Sequence, residues 1–126
     1  MGLIRARIIL HNPVSAELSP IEADALVDTD ALHLCMPEHL ALQLGLPELE
    51  RRELTLADGS KRMIPYVGPV EIRFLNRRCF VGAMVLGDEP LLGAIPMEDM
   101  DLVIHPATRE VTVNPLSPNF PTSVAK

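Results

Sequence analysis

The chain has 126 residues, a formal net charge of −6 and a sequence pI near 5.1. That length fits one domain with one modest core, and the acidic balance argues against nucleic acid, since phosphate binding needs a surplus of Lys and Arg. Hydrophobic residues make up 48% but aromatics only 3%, so the core must be aliphatic, and no apolar run reaches the roughly 20 residues of a membrane span.

Residues 2–11 alternate as a first strand, with Leu3, Arg5, Arg7 and Ile9 on one face and Ile4, Ala6, Ile8 and Leu10 on the other; Asn12-Pro13 ends it. Two Arg within this pattern and no small-residue cleavage site make it a strand rather than a leader, which places the protein in the cytoplasm. Residues 21–28, "IEADALVD", form a second strand that turns wholly apolar before Asp28. A short apolar step over 32–35 leads to Pro37, and "PEHLALQLGL" reads as a short helix opened by proline and closed by Gly45. Residues 51–57 alternate again. The "DGS" at 58–60 is a hairpin turn signal, and a long return strand follows over 61–75. Pro65 and Gly68-Pro69 argue that this strand is an edge or carries a bulge. "CFVGAMVLG" runs back, Leu91-Leu92-Gly93 precedes a short helical turn, and "REVTVNP" is the last strand. Residues 1–115 form the domain, and 116–126, rich in Pro and polar residues, read as a loosely ordered tail. Cys35 and Cys79 sit in apolar contexts and read as buried free thiols. Many short strands with turns every eight to twelve residues predict an all-β small barrel or sandwich with one or two short helices.

Asp28 is the residue that needs a reason. A carboxylate at the end of an apolar strand is costly unless it is paired, hydrogen-bonded or protonated. Asp28-Thr29 as a turn bonded to its own backbone is one reading. A metal site on Asp28 and Asp30 is a weak second: no further acid or His follows at ligand spacing, and His33 and His39 read as a strand face and a helix surface. The third is a carboxylate pair that shares one proton and activates a water.

The stretches "ADALVDTDALHLCMPEHLALQLGL", "LADGSKRMIPYVGPVEI" and "VLGDEPLLGAIPMEDMDLVIHP" resemble the bacterial single-domain members of the retropepsin-like aspartic peptidase family. The likeness runs from about Leu3 to Pro115. The family pattern is an apolar strand, Asp-Thr/Ser-Gly-Ala, and later an apolar-apolar-Gly step before a short helix; here these are Ala25 to Ala31 and Leu91-Leu92-Gly93. The resemblance implies a small closed acid-protease-type barrel, one lobe per chain. It also implies a homodimer, with Asp28 from each chain activating a water to hydrolyse a peptide or protein substrate without a cofactor or metal. Thr29 then holds the two Asp in register across the axis. Asp58 and Gly59 form the tip of a flap, and Leu92 and Gly93 pack behind the loop carrying Thr29, Asp30 and Ala31. The first and last apolar strands, 3–10 and 111–113, are expected to pair across the interface. The departure is Asp30, where the family has Gly: it adds carboxylates beside an already repelling pair. That leaves an alternative, a catalytically inactive dimer of the same fold serving as a peptide-binding or assembly module.

Overall fold

The computed structural model describes residues 3–125; the expected strand start at Gly2 and the tail's last residue, Lys126, lie outside the described residues. In chain order the elements are β1 (Arg5–His11), β2 (Ile21–Val27), β3 (Leu34–Met36), α1 (Glu38–Gln43), β4 (Glu48–Thr55), β5 (Lys61–Phe74), β6 (Arg77–Val85), β7 (Leu91–Leu92), α2 (Ala94–Asp99), β8 (Leu102–His105) and β9 (Glu110–Val113).

Alternation does what it predicts on β1: Ala6, Ile8 and Leu10 are buried, while Arg5, Arg7 and Ile9 face outward. One sheet runs β1-β2-β7-β3-β6-β5-β4, and a further pairing joins β1, at one end, to β5, next to the other end. Six strands therefore close into a barrel, with β4 paired to β5 outside the ring. Closure is made by Ile9, Leu10 and His11 against Arg73, Ile72 and Glu71. Closure pairs the second half of β1 on both sides and leaves β4 as an edge strand.

The barrel interior is aliphatic. Ile8, Leu10, Leu34, Met36, Leu44, Val70, Ile72, Leu92 and Met100 are fully buried. Each such Leu or Ile contributes about 1.5–3 kcal/mol over an exposed one. Three polar side chains, Asn12, Glu71 and Arg77, are buried among the described residues, each with a partner. Asn12 donates to the carbonyls of Leu44 (3.0 Å) and Gly45 (3.3 Å) and accepts from the N–H of Val14 and Ser15, so it ties the end of β1 to the end of α1. Glu71 meets His11 at 3.1 Å and accepts from Arg73 (2.9 Å) and Arg78 (3.4 Å). Burial pushes the Glu71 carboxyl up, but hydrogen bonds from Arg73 and His11 and the charges of Arg73 and Arg78 outweigh it, and it sits below its ordinary value.

Four expectations change in detail. The long strand β5 carries the expected bulge, a register shift between Val67 and Val70 that absorbs its Gly-Pro step, but it is not an edge: it is paired to both β4 and β6. β4 starts at Glu48, earlier than the alternation from Arg51 marks. β1 is not free to reach a second chain along its length: its second half is paired on both sides, to β2 and to β5, while β9 pairs with β8 in a separate two-stranded sheet. The segment after β9 has no regular secondary structure but is hydrogen-bonded to the body. Asp101 accepts from Ser117 (2.5 Å), Asn114 (3.1 Å) and the Thr122 N–H (3.0 Å), and Asn76 and the buried Arg77 donate to the carbonyls of Pro118 and Ser117. The Ser117 hydroxyl, the Thr122 N–H and the Asn114 amide hold the Asp101 carboxyl far below its ordinary value. No described helix is long and apolar enough to cross a membrane.

Candidate active site

β2 ends at Val27 because its neighbour changes. Leu26 and Val27 pair in parallel with Leu91 and Leu92, and the next N–H, that of Asp28, donates to the Leu92 carbonyl at 3.1 Å. Beyond it the chain turns. The Asp30 N–H donates to Asp28 Oδ1 at 3.0 Å, and the Ala31 N–H donates to the Asp28 carbonyl at 3.2 Å. Asp28 is half-buried, and Thr29 and Asp30 are exposed. The backbone at Asp30 does not take a positive φ, so an L residue fits this turn without strain and supplies the same N–H a glycine would.

The turn is stapled to the next structural unit. The N–H groups of Ala94 and Ile95, the first turn of α2, donate to the carbonyls of Ala31 (2.8 Å) and Leu32 (2.9 Å). Gly93 lies between: a Cβ there would fall 2.4 Å from the His33 carbonyl oxygen and 2.8 Å from that of Ala31. Its φ of −90° is open to any residue, so the requirement for glycine is one of space. Asp28, Thr29, Asp30 and Ala31 thus share one turn, with Leu92 and Gly93 directly against it. Asp58 and Gly59 stand apart, at the exposed tip of the β4–β5 hairpin. There Gly59 has φ +88°. Asp58 accepts from the Ser60 hydroxyl (2.6 Å) and N–H (2.9 Å), which hold its carboxyl below the ordinary value.

Three cavities adjoin these elements. One, of about 270 Å³, runs from Thr29 to Ala94, Met97, Glu98, Leu102 and Ile104. A second, of about 220 Å³, is lined by Leu26, Cys35, Leu91 and the 86–89 turn. Cys35 is half-buried rather than buried, and burial pushes its thiol up; the Cys79 thiol is pushed up to about 12 by burial and then by Asp99. Arg5 guards this side through ion pairs with Glu89 (2.7 Å) and Asp24 (3.7 Å). The third, of about 370 Å³, lies between the hairpin base and β6, where Arg52 stacks 3.8 Å above the Tyr66 ring and Tyr66 meets His33 edge-on at 5.8 Å. Burial, and then the charge of Arg52, lower the affinity of His33 for a proton. Sequence reading missed this group, although Arg52, Tyr66 and the half-buried His33 are polar residues on strands or strand ends. His39 lies exposed on α1. Among the described residues no three His, Cys, Asp or Glu side chains converge as metal ligands would.

No family model matches the sequence, and no curated protein matches it. Solved structures do match in shape. The retroviral protease-like domain of Ddi1 from Leishmania major superposes with a TM-score of 0.63 over 91% of this chain and 90% of that one, at 13% identity. A retropepsin-like aspartic protease from Rickettsia conorii gives 0.48 at 19% identity, covering 84% of this chain and 91% of that one. Simian foamy virus (mac) protease gives 0.44 at 14%, covering 72% and 92%. The first of these establishes that the barrel described above has the fold of a retroviral protease-like domain.

Proposed function

We propose that this chain is a retropepsin-like aspartic endopeptidase that works as a homodimer, each protomer supplying Asp28 to one site on the two-fold axis. The observation that carries the reading is the placement of Asp28. It is the first residue beyond β2, held by the Asp30 N–H and backed by Leu92 and Gly93, within a barrel of the retroviral protease-like fold. One such carboxylate per chain cannot make a pair, so the second comes from an identical partner. Two features favour a partner on this side. The groove from Thr29 to Leu102 and Ile104 is open at the surface, and β8–β9, packed on the core through Val111, Leu102 and Ile104, is hydrogen-bonded to no further described strand, which leaves its edges available for pairing.

Two carboxylates brought about 3 Å apart repel when both are charged, so in this reading the pair shares one proton. The ionised Asp28 takes a proton from the bound water as its oxygen attacks the peptide carbonyl carbon. The protonated Asp28 of the other chain donates to the carbonyl oxygen, and the tetrahedral intermediate collapses as a proton passes to the leaving amine. Thr29 keeps the two loops in register, Ala31 anchors the turn to α2, and the hairpin tip at Asp58 and Gly59 closes over the peptide. In this reading 1–115 is the peptidase domain, 116–126 a tail, and the free thiols fit a cytoplasmic protein. A second reading is favoured by one observation, the exposed Asp30 carboxylate beside Asp28: a dimer that binds peptide in the same groove without cleaving it.

The test is a pair of measurements on wild type and Asp28→Asn. Sedimentation should give a dimer for both, since the change is nearly isosteric and relieves repulsion. Digestion of a denatured protein pool, followed by mass spectrometry from about pH 4 to 8, should show acid-favoured internal cleavage by wild type alone. A single 13.8 kDa species removes the basis for a shared site. Undiminished cleavage by Asp28→Asn assigns the activity elsewhere. A dimer that retains peptide uncleaved selects the second reading.

A further inference from the structure

We infer that the cavity under the base of the β4–β5 hairpin, built by Arg52, Tyr66 and His33, is a recognition pocket for a carboxylate carried by a bound peptide. It contains none of residues 28–31, so it is separate from the candidate catalytic turn. Its volume, about 370 Å³, lies in the range of small-ligand sites, roughly 300–1,000 Å³.

Arg52 gives only its Nε to Glu50, at 2.9 Å; among the described residues its two terminal nitrogens have no hydrogen-bond partner. The Tyr66 hydroxyl and the His33 ring nitrogens likewise have none among the described residues. The guanidinium carbon lies 3.8 Å from the centroid of the Tyr66 ring. This cation–π contact holds the group at the cavity and leaves its terminal nitrogens to make paired hydrogen bonds, the geometry that suits a carboxylate. The walls are apolar: Phe80, Val81, Ile95 and Pro96. Apolar walls lower the local dielectric and strengthen a charge-assisted hydrogen bond.

The site is also shaped by the backbone. Tyr66 rests against bare main chain at residue 82: a Cβ on Gly82 would lie 2.1 Å from Tyr66 Cζ and 2.2 Å from its hydroxyl oxygen. Glycine at 82 therefore lets the ring lie down, which puts the hydroxyl and Arg52 at one cavity. Phe80, with 56% of its surface exposed, forms an apolar lip for the methylenes of an acidic side chain.

Assigning the carboxylate to a peptide rests on the endopeptidase reading; the carboxylate site itself does not, and its test measures binding without cleavage. The full-length protein is titrated by amide NMR with three probes: N-acetyl-glutamate N-methylamide, its glutamine analogue, and N-acetyl-alanine, whose carboxylate is terminal. The glutamate probe should shift the amides of His33, Arg52, Tyr66 and Gly82 saturably, with a dissociation constant of about 1–10 mM for so small a ligand. The glutamine analogue should bind about tenfold more weakly, the loss of one charge-assisted contact. N-acetyl-alanine binding as well as the glutamate probe identifies a peptide C-terminus as the source, and weaker binding identifies an acidic side chain. Arg52→Gln, whose fold is checked by circular dichroism, should lose the discrimination between the glutamate and glutamine probes, and Tyr66→Phe should weaken it. Equal binding of those two probes, shifts confined to other residues, or unchanged discrimination in folded Arg52→Gln would each overturn the assignment, whatever the outcome for peptidase activity.

Discussion

Gly93→Ala should unlock the candidate active turn while leaving every side chain of that turn in place. The added methyl meets three atoms of the 31–33 backbone at 2.4–2.8 Å, and backbone, unlike the end of a side chain, cannot swing aside. Overpacking of this kind costs about 1–3 kcal/mol, and more where relief is blocked. Relief requires β7 and α2 to draw away from residues 31–33, which breaks the 2.8 and 2.9 Å hydrogen bonds from Ala94 and Ile95. Each is worth about 1 kcal/mol. The sum is about 3–5 kcal/mol, a large share of the 5–15 kcal/mol typical of a domain. Urea or thermal unfolding measures it, with Gly59→Ala as the control. Gly59 has nothing within 4 Å of its added methyl but a φ of +88°, so it should lose only the about 1–2 kcal/mol of left-handed backbone strain. Amide exchange should show loss of protection at Ala94 and Ile95 in Gly93→Ala. A loss under about 1 kcal/mol in Gly93→Ala, or a loss no larger than in Gly59→Ala, would refute the claim that close backbone approach sets the turn.

Asp30→Gly should lower stability by about 0.5–1 kcal/mol through added backbone freedom. In the proposed dimer it should also tighten association, because it removes two of four neighbouring carboxylates; an unchanged dissociation constant would sink the idea that Asp30 crowds the pair. Glu71→Gln should cost about 2–3 kcal/mol at neutral pH, since it leaves His11, Arg73 and Arg78 around a neutral group. The Glu71 carboxyl is depressed in the folded protein, so its contribution is full above the ordinary carboxylate value and is lost as pH falls through the folded one. The stability gap between wild type and Glu71→Gln should therefore close on acidification, and a gap that widens in acid contradicts the assignment. Asp101→Asn keeps the side-chain shape but removes an acceptor charge serving Ser117, Asn114 and Thr122. Limited proteolysis should then cut within 116–125 faster than in wild type, with the barrel intact; unchanged cutting means the tail is held by something else.

Local pattern determined the elements. The two-residue alternation of β1, the Asp-Gly turn at 58–59, and the helix between Pro37 and Gly45 are legible because each depends on neighbours in sequence. The aliphatic core followed from composition, since a chain with so few aromatics has nothing else to bury. That Asp28 ends an apolar strand was also plain. Its neighbours were not, except by resemblance: the parallel pairing of β2 with β7 joins residues more than sixty positions apart, and nothing local marks the partner. Barrel closure through Ile9–His11 and Glu71–Arg73 was invisible for the same reason, which is why β1 read as a strand free to meet a second chain. The Pro-rich tail looked loose because its anchors are side chains elsewhere: Asp101, which accepts from Ser117 and Thr122, and the buried Arg77, which donates to the Ser117 carbonyl. His33, Arg52 and Tyr66 come from three separate elements, and only the packing of Tyr66 over Gly82 brings their donors to one cavity. A sequence records which groups are available; which of them share a space depends on the closed sheet.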